Sequence, residues 1–523
     1  MTIDKKLNAN GYQLCTQLSA ANDAKKKVHH KGRLINVAGV GGVVSVAYEQ
    51  LRNAAEYAQD HLLIQNAIRR FFMRNLSFHN HNAAGKTIAE ELIIELTQSG
   101  YIKNNTQPVE IIEILGVSIN RYYGNYWRLK ASGVDEKVAR NWTLDLLSIS
   151  SENMIIDDAV QTIYLQFAFN HYRSILHKDS FTSGLNPSED FEISLYIAVH
   201  RALLKSDLAA VRYDMQKLYN TSDKNINEYS QFHKSIDDTF SSELTNKLVR
   251  YINKYGAPLR VLRSMIKEEE KFVELLPSSE HFDRAYASQI KKEYKKAESK
   301  LNRGLIKSIV FLLITKSLIG VSIEVPYDLL ITGGILVVPL VVNLLTPIVY
   351  LALLRLGFKL PGETNAKAMR AYTDDMLYGD KDQVNLYPSV KEKSYPIGFT
   401  IAYALLFMGV FALVSYWLIL LKFNVVQGLM FFMFLAAASF LGFRLSRIVR
   451  ELELVAVKPG AIMTFRDLLF TPFTFLGKWL SDKYQKVNIV ALVLDTFIEL
   501  PLKTALRLLR QWTGFIDDKK EDI

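Results

Sequence analysis

Cysteine is nearly absent from this chain: Cys15 is the single one among 523 residues. One cysteine cannot form an intramolecular disulfide or a cysteine-based metal cluster, so a disulfide-stabilised scaffold is excluded and a reducing compartment is indicated. The first residues, Met1 to Lys6, also lack an apolar stretch behind their basic side chains. We therefore expect no secretory signal there, and we expect the N-terminal part of the chain to stay in the cytosol.

Charged residues are missing from three long stretches, although the chain carries 63 Lys and Arg and 53 Asp and Glu. These stretches run from Leu329 to Leu354, from Ser394 to Leu421 and from Phe423 to Phe443. Each reaches the roughly 20 residues that cross about 30 Å of hydrocarbon at about 1.5 Å per residue. Three such segments close together in the chain predict membrane-spanning helices and argue against a wholly soluble protein.

A fourth segment, about 305–325, is apolar but carries Lys316 near its middle. Lys and Arg are abundant before this segment and absent just after it. They are abundant again after 329–354, nearly absent after 396–421 and abundant after 424–443. This alternation follows the positive-inside rule only if the segment 305–325 also crosses the membrane. The sequence therefore predicts four crossings with both termini in the cytosol. The predicted crossings are about 305–325, 329–354, 396–421 and 424–443.

The fold class predicted for the whole chain is mainly α: a cytosolic helical domain, a four-helix transmembrane region and C-terminal amphipathic helices. Apolar residues before residue 300 recur at helical spacing, and the polar segment Asn220 to Asn227 predicts a linker. A polar stripe on the otherwise apolar segment Val487 to Trp512 favours a helix at the membrane surface over a fifth crossing. The predicted domains are a helical bundle (1–219), a smaller helical piece with a basic juxtamembrane helix (228–303), the crossings (304–450) and cytosolic amphipathic helices at the membrane surface (451–523).

Two polar side chains, Lys316 and Asn343, lie near mid-depth of the first two predicted crossings. Ionisable residues inside a membrane are costly and are often functional, so both are candidate site residues. Because no acidic residue was assigned to the membrane interior, a hydrogen bond between Asn343 and Lys316 is favoured over a pump or coupled carrier. Gly333 and Gly334 make the second crossing easy to bend, which leaves a backbone binding site as an alternative.

Basic residues beside the predicted crossings are candidates for contact with anionic lipid headgroups, at about 1 kcal/mol each. One set lies on a helix of about 282–303 that runs into the first crossing, and the other lies on the C-terminal amphipathic segment. A solvated helix face is the alternative interpretation of the first set. The candidate residues are Lys291, Lys292, Lys295, Lys296, Arg303, Arg507 and Arg510.

Two glycine-containing segments partly match nucleotide-binding motifs. Gly85-Lys86-Thr87 ends like a phosphate-binding loop, but Asn80 stands where that motif needs its first glycine. The segment 39–42 has three glycines after an apolar stretch, but Val44 occupies the third glycine position of a dinucleotide fingerprint. A polar helix cap and a flexible turn are the favoured interpretations, so no cofactor is expected.

The histidine pairs and carboxylate pairs lack the arrangement of a metal or acid–base site. The histidines bring no carboxylate or further histidine at helical spacing, so no metal is expected. Adjacent carboxylates on a helix point about 100° apart and do not converge on one substrate atom. The sequence therefore singles out no catalytic residue. The pairs are His29 and His30, His79 and His81, Asp157 and Asp158, and Glu90 and Glu91.

A large helical region without a catalytic constellation favours a non-enzymatic membrane protein that binds a protein partner or organises the membrane face. A transporter or channel component, indicated by Lys316 and Asn343, is the first alternative, and it requires an oligomer because four spans make a small pathway. A membrane-surface enzyme acting on lipid, indicated by Asp157 and Asp158, is the second. The expected partners are the bilayer and a protein. Nucleic acid is not expected, because the formal charge of +10 lies partly in juxtamembrane segments.

Overall fold

The computed structural model describes ten continuous segments and eight further positions. All their regular secondary structure is helical, with 83% of the structure in helices and one isolated bridge between Leu34 and Pro108, which confirms the mainly α class. The described residues are 5–27, 33–37, 62–76, 84–156, 159–182, 190–221, 223–358, 360–379, 396–455 and 460–486, with 45, 46, 49, 78, 504, 505, 508 and 512.

The chain forms two compact units. The span unit contains Met1–Cys15 and Arg250–Val487, and the amino-terminal unit contains Thr16–Val249 and Asn488–Ile523. The segment expected to be a linker lies within the amino-terminal unit, where Asp223 accepts hydrogen bonds from Arg121 and Asn125.

Twelve helices whose bounds lie in the described residues begin before residue 260. They are α1 (Ala9–Lys27), α2 (Leu63–Asn75), α3 (Gly85–Gln98), α4 (Glu110–Ala131), α5 (Glu136–Ile155), α6 (Ala159–Ile175), α7 (Asp179–Thr182), α8 (Phe191–Val199, continued by the π-helical turn His200–Leu204), α9 (Leu208–Leu218), α10 (Ile226–Phe240), α11 (Glu243–Tyr255) and α12 (Ala257–Glu268).

The long helix α4 lies at the centre of one apolar core of the amino-terminal unit. Leu115, Ile119 and Tyr126 recur on one face and are fully buried against α3 and α5. Acidic residues occupy its first turn and basic residues its last, as the helix dipole favours. The apolar stripe and the complementary end charges together explain why this segment is helical.

Eight further helices lie in the described part of the span unit, which also contains α12 and the end of α11. They are α13 (Phe272–Leu275), α14 (Ser279–Ile319, continued by the π-helical turn Gly320–Glu324), α15 (Val325–Thr332), α16 (Val337–Gly357), α17 (Glu363–Tyr378), α18 (Ile397–Leu420), α19 (Val425–Arg450) and α20 (Ala461–Lys486). Within the part of the chain that the structure describes, four helical segments are long and apolar enough to cross a membrane, which agrees with the predicted number of crossings and indicates a membrane protein.

The first span is the apolar end of a helix that begins far outside it. This helix passes through the π-helical turn and continues to Thr332, where Gly333 at φ 69° ends it in the left-handed conformation. Residues 329–332, assigned from the sequence to the second crossing, therefore belong to the first helix, and α16 begins at Val337. The difference arises because hydropathy alone does not locate a glycine turn between two apolar helices.

Contacts at one end of the span unit show how the spans alternate. Arg370 of α17 donates to Asp283 on the polar half of α14, so the chain leaving α16 returns to that half. Asn365 of α17 donates to the carbonyl oxygen of Leu452 at 2.8 Å, directly after α19. The carboxyl ends of α16 and α19 thus lie at the same end as the polar half of α14, as the alternation of Lys and Arg requires.

Helix α20 packs closely on the spans. Phe473 is fully buried beside Phe411 and Phe432, and a Cβ added at Gly477 would collide with the carbonyl oxygen of Ala436. The first half of the predicted surface region, 461–486, is therefore one helix with its glycine against α19. Most of the predicted surface helix 487–512 lies outside the described residues.

Candidate intramembrane polar site

Lys316 forms an ion pair with Glu324 in the interior of the first span. The Lys316 Nζ atom lies 3.0 Å from Glu324 Oε1, and both side chains are buried. Glu324 is the last residue of the π-helical turn, whose wider backbone shifts the residues after it around the helix axis. A buried pair of this kind is costly to desolvate, so its further hydrogen bonds decide whether it is tolerated.

Asn343 of α16 supplies those hydrogen bonds. Its Nδ2 atom donates to both carboxylate oxygens of Glu324, at 3.1 and 3.0 Å, and lies 3.3 Å from the carbonyl oxygen of Gln427. The expected bond between Asn343 and Lys316 is therefore replaced by an arrangement in which Glu324 lies between them. Among the described residues, Asn343 Oδ1 has no hydrogen-bond partner.

Asp328 forms a second buried centre one helical turn further along α15. It accepts hydrogen bonds from Asn424 Nδ2 at 2.7 Å, from Gln427 Nε2 at 2.8 Å and from the backbone N–H of Leu336 at 3.2 Å. In each of these three bonds the Asp328 carboxylate is the acceptor. Leu336 precedes α16 and Asn424 is the N-cap of α19, so the carboxylate lies beside the positive ends of two helix dipoles.

An aromatic ring completes the surroundings of the lysine. The Lys316 ammonium lies 4.3 Å from the centroid of Phe434 on α19, a distance at which the ring face attracts a cation. The two centres thus join residues from α14 and α15, from α16 and from α19. The arrangement can hold three helices in register, and its ionisable groups can also exchange a proton or hold a cation.

Sequence reasoning found Lys316 and Asn343 but missed Glu324 and Asp328. Glu324 stands at the very end of the first predicted crossing, 305–325, and Asp328 stands beyond it, whereas the helix continues to Thr332. One signal was available: residues 316, 320, 324 and 328 follow one another in steps of four, so Lys316 and both acids share a helix face. The partners on α16 and α19 depend on packing and carry no such local signal.

The predicted headgroup-contact residues fall into separate groups. Lys292 lies 2.7 Å from Glu268 of α12 and Lys296 also pairs with it, whereas Lys291, Lys295 and Arg303 are exposed. Hydrogen bonds from the two lysines lower the pKa of Glu268 to about 2. Two lysines of the basic helix are thus engaged within the protein. Arg507 and Arg510 lie outside the described residues.

The segment Gly85–Thr87 has a packing role. A Cβ added at Gly85 would collide with the carbonyl oxygen of Gly116 and with Asn120, and Lys86 pairs with Glu113. The glycine therefore allows α3 to approach α4, and the lysine is held at the surface.

The other tested motifs give no candidate site. Glu90 is exposed, and no group of three metal-ligating side chains occurs in the part of the chain that the structure describes. The remaining segments lie outside it: His29 and His30, the glycines of 39–42, His79 and His81, and Asp157 and Asp158.

Three buried histidines of the amino-terminal unit were not singled out from the sequence. Burial lowers the pKa of His171 to about 4 and the pKa values of His200 and His233 to about 3. His233 lies against the rings of Tyr229 and Trp142, and the nearby Arg212 guanidinium lowers its pKa further. Their neutral rings act as core side chains.

No family model, no curated protein and no solved structure matches this chain. Functional conclusions therefore depend on the residues and their geometry alone.

Proposed function

We propose that the protein is a non-enzymatic membrane protein that binds a partner through its amino-terminal helical unit. The observation that carries this proposal is the hydrogen bonding of the two buried carboxylates within the spans. Glu324 and Asp328 are bonded to side chains of neighbouring spans, so the bundle is well suited to serve as an anchor of fixed geometry. The proposed cytosolic position of the amino-terminal unit rests on the positive-inside rule.

Exposed apolar side chains on α4 support a protein partner. Ile114 is 54% exposed and Val117 is 69% exposed, and they are three residues apart on the same helix face. Neighbouring apolar side chains on a water-facing surface favour a site of protein contact. We therefore place the partner surface at these two residues.

Quantitative affinity capture with the full-length protein in detergent tests this proposal. The variant Ile114→Glu/Val117→Glu should lose at least one protein that the unmodified chain retains. The matched control is Val138→Glu/Ile156→Glu, which alters one exposed apolar residue of α5 and the exposed apolar residue that follows it, and should retain it. An identical set of captured proteins for all three chains would contradict a partner surface on α4.

A transporter or channel component is the second candidate, favoured by the Lys316–Glu324 pair. Ionisable residues inside a membrane often take part in proton or ion relays. Asn343 Oδ1, which has no hydrogen-bond partner among the described residues, offers an acceptor beside that pair. Four spans provide a small pathway, so this function requires several copies of the chain.

Flux into liposomes separates the two candidates. If the pair carries protons or sodium ions, the unmodified protein should show flux that Lys316→Ala and Glu324→Gln each abolish. The control Lys295→Ala removes an exposed lysine from the same helix and should leave flux unchanged. Absence of flux in the unmodified protein, or equal flux in every variant, would remove this candidate.

A further inference from the structure

Helix α14 carries three exposed cations where its polar half meets its apolar half. Lys300, Arg303 and Lys307 are exposed, and none of them forms an ion pair with the described residues. They differ in this respect from Lys292 and Lys296, which pair with Glu268. The structure therefore separates basic residues that are already engaged from those that remain available to a ligand.

Helix α19 contributes two more cations at the same level. A Cβ added at Gly304 would come within 2.6 Å of Leu445 Cδ2, so Arg303 lies level with this part of α19. Arg447 and Arg450 are exposed there, with their guanidinium carbons 5.2 and 5.9 Å from the centroid of Phe443. We call the five residues the cationic collar. The collar consists of Lys300, Arg303, Lys307, Arg447 and Arg450.

Helix length places the collar at one boundary of the hydrocarbon. The backbone rises about 36 Å from Lys307 to Ile331 at about 1.5 Å per residue, and the hydrocarbon is about 30 Å thick. Lys295 and Lys291 precede Arg303 by about 12 and 18 Å along the axis. A headgroup layer is only about 5–8 Å thick, so those two lysines lie beyond its reach on an untilted helix.

We propose that the cationic collar binds the headgroups of anionic phospholipids in preference to zwitterionic ones. Its position at the end of an apolar helix surface lets one lipid place its acyl chains on the spans and its phosphate on Lys or Arg. Each basic residue near an anionic surface contributes about 1 kcal/mol, which corresponds to about fivefold in binding. The collar shares only Arg303 with the headgroup contacts expected from the sequence. It excludes Lys291, Lys292, Lys295 and Lys296, and it adds Lys300, Lys307, Arg447 and Arg450.

Native mass spectrometry of the full-length protein tests the collar with phosphatidylglycerol and phosphatidylcholine of identical acyl chains. The unmodified protein should retain phosphatidylglycerol preferentially, and Arg303→Gln/Lys307→Gln should lower that preference by tenfold or more. The control Lys291→Gln/Lys295→Gln removes the same charge at the same spacing on the same helix. It should change the preference by twofold or less.

Several results would overturn the proposal. These are no preference for phosphatidylglycerol in the unmodified protein, an equal loss in both double variants, and displacement of the lipid by inorganic phosphate at equal concentration. The last result would indicate a free-anion site instead. If the collar variant fails to fold, a salt titration of the unmodified protein decides: the preference must fall as NaCl rises, and a salt-independent preference contradicts the collar.

Discussion

In the amino-terminal unit the fully buried side chains include Phe72, Leu92 and Tyr126, whereas in the span unit they include Glu324 and Asp328. The outer surface of the span unit, in turn, exposes large apolar side chains. Leu330 and Val425 of the span unit are each 84% exposed. In water, apolar side chains gain most from leaving the solvent, but a lipid solvent gives them no such gain. In the span unit, buried carboxylates and exposed apolar side chains therefore occur together, as a lipid solvent allows.

The two units also bury ionisable groups in different ways. His171, His200 and His233 are neutral core side chains, and burial lowers their pKa values. In the span unit, Lys316 and Glu324 instead form a buried ion pair, in which the two opposite charges lie next to each other. The amino-terminal unit is therefore expected to respond to acid through its histidines, and the span unit to respond to the loss of either member of its pair.

Removing Glu324 should have the largest effect on stability. The substitution Glu324→Ala leaves the Lys316 ammonium buried without its partner, so we expect a loss of about 3–5 kcal/mol. Thermal and denaturant unfolding of the full-length protein in detergent measures it. The control Glu363→Ala breaks an exposed pair with Lys367 and should cost less than about 1 kcal/mol. Similar losses for the two variants would contradict the buried pair.

Replacing both members of the pair tests whether the unpaired Lys316 charge causes the loss of stability in Glu324→Ala. The double variant Lys316→Met/Glu324→Leu removes both charges and should recover most of the stability that Glu324→Ala loses, because apolar side chains suit this environment. A double variant as unstable as Glu324→Ala would show that the carboxylate is needed for its bonds to Asn343.

Two leucine substitutions test the inverted polarity directly. Leu115→Ala in the core of the amino-terminal unit should cost about 2–5 kcal/mol, because it leaves a cavity. Leu330→Ala on the outer surface of the span unit should change stability by about 0.5 kcal/mol or less. Hydrogen exchange measured by mass spectrometry reports each unit separately within the full chain. Equal losses of stability in Leu115→Ala and Leu330→Ala would contradict this difference between the two units.

Acidification should destabilise the amino-terminal unit gradually, because its buried histidines take up protons on unfolding. The native pKa values of about 3–4 lie below the usual histidine value of about 6.5, so the unfolded state binds more protons between these limits. Stability is therefore fully present above about pH 6.5 and falls as the pH decreases toward 4. Hydrogen exchange at several pH values should show this fall, and His233→Gln should reduce its slope. The control His177→Gln, which alters an exposed ring, should leave the slope unchanged.

The helical class and the number of spans could be predicted because they depend on local composition. An uncharged stretch of sufficient length needs a membrane-compatible helix whatever surrounds it. The partner of Lys316 could not be predicted in this way, because Glu324 reaches it through a π-helical turn that hydropathy does not reveal. The bonds from Asn343 and Gln427 depend on how three helices pack, and the role of Gly85 depends on where α4 lies.

Helix α14 runs without interruption from Ser279 to Ile319, which corresponds to about 60 Å. It contains no proline, and it remains α-helical through Gly304, where its polar half meets its apolar half. Asp283, which pairs with Arg370 of α17, and Lys316, which pairs with Glu324, therefore lie on one uninterrupted helix. The π-helical turn at Gly320–Glu324 is the first departure from α-helical geometry along this helix, and it begins between the two members of the buried pair.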